Sequence, residues 1–60
     1  MNKELLKACI RDRFDSCDIR YRSDLQRQDE REELIELCYE LELDNGFIDD
    51  LKNDNRFKQE

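Results

Sequence analysis

The sequence has no proline, no tryptophan, no histidine and one glycine, Gly46. Each gap removes a class of answer. Without histidine, the easiest general base at neutral pH is missing, along with a common nitrogen ligand for zinc. A single glycine leaves no glycine-rich phosphate cradle and no nucleophile elbow. No apolar run exceeds three residues, as at Leu37-Cys38-Tyr39, so no segment could span a bilayer. The opening MNKELLKACIRD lacks the apolar stretch of a secretion signal and carries an early acid, Glu4. Cysteine is scarce and odd in number. Cys9, Cys17 and Cys38 stand eight and 21 residues apart with no C-x-x-C pair, which implies reduced thiols in the cytoplasm rather than disulfides or zinc.

What remains is a charged, helix-patterned chain. Of its 60 residues, 47% are charged and 37% apolar, a composition close to disorder. The apolar residues nevertheless recur at helical spacings. Chains of this size bury little surface and often lean on a second copy or a partner. The charge is uneven. Residues 1–28 carry seven Lys/Arg against five Asp/Glu, a net +2, and residues 29–60 carry four against twelve, a net −8. The simplest use of that polarity is a basic first helix lying on an acidic second one.

Asn2 caps a first helix, in which Leu6, Ile10, Phe14, Cys17 and Tyr21 step by four, four, three and four. Asp15-Ser16 is a weak point where that helix could divide. The second helix has two candidate starts. Ser23 with Gln26 forms one capping box, and Asp29 with Glu32 forms another. Leu34, Leu37, Cys38 and Leu41 then mark its buried stripe, and Asn45-Gly46 reads as its stop. Phe47, Ile48 and Leu51 form a short third helix. The expected fold is all-α: an antiparallel helical hairpin of about residues 3–22 and 24 or 29–44, a short helix near 47–54, and a frayed tail over 55–60 from which Phe57 is free to dock. The 60 residues form a single small domain, which homodimerisation completes into a helical bundle.

No cofactor is implied. Leu41 to Lys52 resembles a calcium loop only at Asn45-Gly46 and Ile48; its first, third and twelfth places are Leu41, Leu43 and Lys52, none a carboxylate. Catalysis is not expected. The leading functional expectation is an acidic, non-catalytic inhibitor or adaptor that grips a basic surface of another protein. Its contacts are Glu32, Glu33, Glu36 and Glu40, with Ile35 and Tyr39 as apolar anchors at the same edge. In composition such a chain is similar to small accessory proteins of phages and mobile elements. A second expectation is nucleic-acid binding through an arginine ridge of Arg13, Arg20, Arg27 and Arg31, diluted by the interleaved Asp12, Asp15, Asp18 and Asp24. A third is a purely structural self-associating protein. Cys9, near Arg13, is the most reactive thiol expected.

Overall fold

A computed structural model describes residues 2–57, which form three helices and no strand. Helix α1 spans Lys3–Arg20. It starts where Asn2 Oδ1 accepts from the backbone N–H of Glu4 at 2.9 Å and of Leu5 at 3.4 Å. Asp15-Ser16 does not break it. The Ser16 hydroxyl turns back and donates to the Asp12 carbonyl at 2.8 Å, which satisfies it inside the helix.

Helix α2 spans Asp24–Glu40 and is capped by Ser23, whose Oγ accepts from the Gln26 N–H. The earlier start therefore holds, and Asp29 and Glu32 lie within the helix rather than at its mouth. The two ends of the hairpin turn are tied by Arg27, whose Nη1 donates to the carbonyls of Tyr21 at 2.7 Å and Arg22 at 3.0 Å. Carbonyls freed at the end of α1 thereby find a donor. Tyr21 pairs with Glu30, and Phe14 and Asp18 pair with Arg31, so the two helices run antiparallel.

The stop of α2 is not at Gly46. It is a Schellman turn centred on Glu42, the one non-glycine residue at positive φ (58°) among the described residues. The Leu43 N–H donates to the Cys38 carbonyl at 3.0 Å and the Glu42 N–H to Tyr39 at 3.1 Å. The early stop has a reason in packing. It turns Leu43 inward, where it is buried with Cys38 in the core. Gly46 instead lies in the first turn of helix α3, Asn45–Lys52, behind the Asp44 cap, whose Oδ2 accepts from Phe47 N–H at 3.0 Å. The third helix thus begins and ends two residues before the expected 47–54.

The core comprises Ile10, Phe14, Leu34, Ile35, Cys38, Leu43, Ile48 and Leu51, with Leu41, Phe47 and Phe57 partly buried against it. Of the tail expected to fray, Phe57 docks against the core, as its apolar ring allowed, and residues 58–60 lie outside the described residues. Arg31, only 2% exposed, belongs to the buried face of α2, whereas Leu37, expected there, is 36% exposed. No helix among the described residues is long and apolar enough to cross a membrane.

Candidate protein-binding surface

The ion pairs sort the carboxylates into two groups. On one side of the hairpin, Asp15, Asp18 and Asp54 interleave with Arg11, Arg31 and Arg56. Arg56 reaches Asp15 at 2.7 Å, Asp54 at 2.9 Å and Asp18 at 3.7 Å, and Arg31 reaches Asp18 at 2.9 Å. The Arg56 guanidinium holds the Asp54 carboxyl down at about 2, and the Arg31 hydrogen bond holds Asp18 below its usual range. Asp44 is held low by Lys7, which is itself pushed up by the contact. These groups fasten α3 and the turn after it onto α1.

Glu32, Glu33, Glu36 and Glu40 behave differently. All four are exposed and none has an ion-pair partner among the described residues. Their numbers differ by one, three and four, so at about 100° per residue they fall in one stripe, which Asp29 joins. The buried stripe of the same helix, Arg31, Leu34, Ile35 and Cys38, lies on the other side. The helix has to show water one face, and the sequence has filled that face with one sign of charge. Among the described residues no lysine or arginine pairs with these glutamates, and most of the cations are engaged elsewhere. Lys7, Arg11, Arg27, Arg31 and Arg56 are in ion pairs with aspartates, and Lys3 donates to the Glu42 carbonyl.

The two expected anchors part company. Ile35 is buried in the core, so it is not a surface anchor; α3 roofs this side of α2 and takes up the apolar surface that a two-helix hairpin would leave bare. Tyr39 stays half exposed at the edge of the acidic stripe, its hydroxyl accepting from Lys52 Nζ at 3.0 Å and its ring 5.7 Å from that ammonium. That hydrogen bond pushes Lys52 up. Leu37, expected on the buried stripe, instead flanks the acidic stripe on its other edge, beside Glu33 and Glu40.

The arginine ridge is divided. Arg31 is buried, with Nε donating to the Phe14 carbonyl at 3.1 Å, so it cannot meet a phosphate. Arg27 is occupied by Tyr21, Arg22 and Asp24. Arg13 and Arg20 remain exposed, on the wall of a shallow depression that Tyr21, Glu30 and Leu34 also line. Of the thiols, Cys17 and Cys38 are buried and pushed up by burial, while Cys9 is exposed. Comparison of the chain with protein-family models, curated proteins and solved structures gives no match.

Proposed function

We propose that this chain is a non-catalytic binding module that docks the acidic stripe of α2 on a basic surface of another protein, as an inhibitor or adaptor, and completes its bundle with a second copy of itself. The observation that carries the reading is the division of the carboxylates. The aspartates at 15, 18, 44 and 54 hold the fold together, whereas Glu32, Glu33, Glu36 and Glu40 stand exposed in one stripe and without ion pairs among the described residues. An unneutralised stripe of one sign raises the rate at which an oppositely charged partner finds it, and it repels anionic competitors such as nucleic acid. Tyr39, half exposed at the edge of the stripe, supplies apolar contact once the charges have brought the partner in.

The nucleic-acid alternative keeps two of its four arginines, both facing the junction of α1 and α2 rather than forming a ridge. A cytoplasmic setting is part of the proposal, supported by three free thiols.

The test is capture of the native partner from a cell extract at low and high salt, using the wild type beside Glu36→Lys/Glu40→Lys. Salt-sensitive capture that the double variant loses, with helicity unchanged, supports the acidic stripe. Equal capture by both proteins overturns it.

A further inference from the structure

Helix α3 and the turn after it close one side of the hairpin only. They seat on the flank of α1 that carries Lys7, Arg11 and Asp18. The other side, over the buried Cys17, is lined by Arg13 and Arg20 on α1 and by Glu30 and Leu34 on α2. Leu37 continues the α2 flank one turn beyond Leu34, and Glu33 stands one turn before Leu37 on its outer edge. Arg13, Arg20 and Glu33 are all exposed and without ion pairs among the described residues.

The geometry points to a second copy of this chain as the occupant of that open side, with α1 of each copy lying over α2 of the other and Arg13 of each meeting Glu33 of the other. This rests on the self-association part of the function proposed above and names its surface. A foreign partner of either sign meets one repulsive wall here, since one helix offers arginine and the other glutamate. A second copy, turned about a two-fold axis, meets neither.

The charges also choose the axis. Two hairpins stacked face to face have two symmetric arrangements. An axis running across the helices sets α1 on α1 and α2 on α2, which puts Arg13 and Arg20 against their own kind and Glu33 against its own. An axis running along the helices sets α1 on α2. Heights along the bundle are then preserved between copies, so Arg13, which lines one depression with Leu34 within one chain, comes near Glu33 and Leu34 of the other. Leu37 of each copy enters the seam beside Leu6 of the other. The result is a four-helix bundle with its acidic Glu36 and Glu40 still outward.

The experiment is sedimentation of the full chain under reducing conditions, with far-UV circular dichroism as a check on folding. The wild type is expected at the mass of two copies. Arg13→Glu and Glu33→Arg are each expected at the mass of one, with association weakened roughly a hundredfold because each dimer repeats the like-charge clash twice. Mixing these two variants in equal amounts restores the dimer, since in the mixed pair both contacts are again between opposite charges. Should either reversal disturb the helix, Arg13→Gln and Glu33→Gln, which change charge more gently, serve in its place and are expected to give intermediate weakening. A wild type that stays at one copy overturns self-association as a whole. A dimer indifferent to Arg13 and Glu33, or variants that stay monomeric on mixing, overturns this surface and leaves the acidic stripe to its own test.

Discussion

Arg31 bonds to Phe14 twice over: its Nε donates to the Phe14 carbonyl at 3.1 Å while its guanidinium carbon lies 5.1 Å from the centroid of the Phe14 ring. One side chain of α2 therefore grips both the backbone and the aromatic ring of α1. Its Nη2 reaches Asp18 one turn on, and Arg56 lies 5.6 Å from the same ring. A buried arginine is tolerated because its carboxylate partner is half exposed and keeps much of its hydration, and because the planar fork satisfies several acceptors from one position.

Removing that grip is costly. Arg31→Ala leaves a hole beside Phe14 and unties Asp18, and it is expected to lose about 2–4 kcal/mol. A chain this short has on the order of 3–9 kcal/mol in total, so the loss takes a large share of its stability. Arg31→Met keeps most of the stem's packing and loses less. Urea titration followed by circular dichroism measures both, and an Arg31→Ala midpoint equal to the wild type refutes the role assigned here.

Acid loosens the same region. Asp54 titrates near 2 in the folded chain against about 4 in an unfolded one. Its stabilising contribution is complete above pH 4 and is lost as the pH falls from there through 2. Asp18 and Asp44, both lowered, act in the same direction. Thermal melting is expected to be level between about pH 5 and 7 and to decline below 4. Asp54→Asn lowers the plateau and flattens the decline. An unchanged slope in that variant shows that Asp54 is not among the groups responsible.

Two substitutions exchange the glycine between its two candidate places. Glu42→Gly relieves a left-handed backbone and is expected to stabilise by about 0.5–1 kcal/mol. Gly46→Ala fits too: a Cβ there meets only Asp44 Oδ2 at 3.4 Å, and alanine is the better residue within a helix by up to about 1 kcal/mol. If Gly46→Ala is instead strongly destabilising, the turn at Glu42 has been misassigned.

Thiol labelling separates the cysteines. A bulky reagent on the folded protein is expected to modify Cys9 quickly and to reach Cys17 and Cys38 only on unfolding. Burial raises both inner thiols, so the stability they confer is present below pH 9 and lost as the pH climbs past it. Mass spectrometry of briefly labelled protein reads the order directly, and rapid labelling of Cys38 contradicts the packing described.

The sequence by itself determined the helices, because caps and period are local. Asn2 and Ser23 each bond to N–H groups within three residues, and Ile10, Phe14 and Cys17 lie together by helical geometry alone. It also determined the acidic stripe, since Glu32, Glu33, Glu36 and Glu40 share a face of any helix containing them. Only tertiary structure decided what lies behind that face. Hydrophobic pattern reading places Leu37 inside and Arg31 outside. The fold reverses them, because Phe14 and Asp18 of another helix supply the acceptors that make a buried guanidinium tolerable. The end of α2 was likewise a long-range matter. Gly46 was the cheapest residue for a left-handed turn, but the chain turns at Glu42, where Leu43 can enter a core built partly from Ile48 and Leu51 downstream.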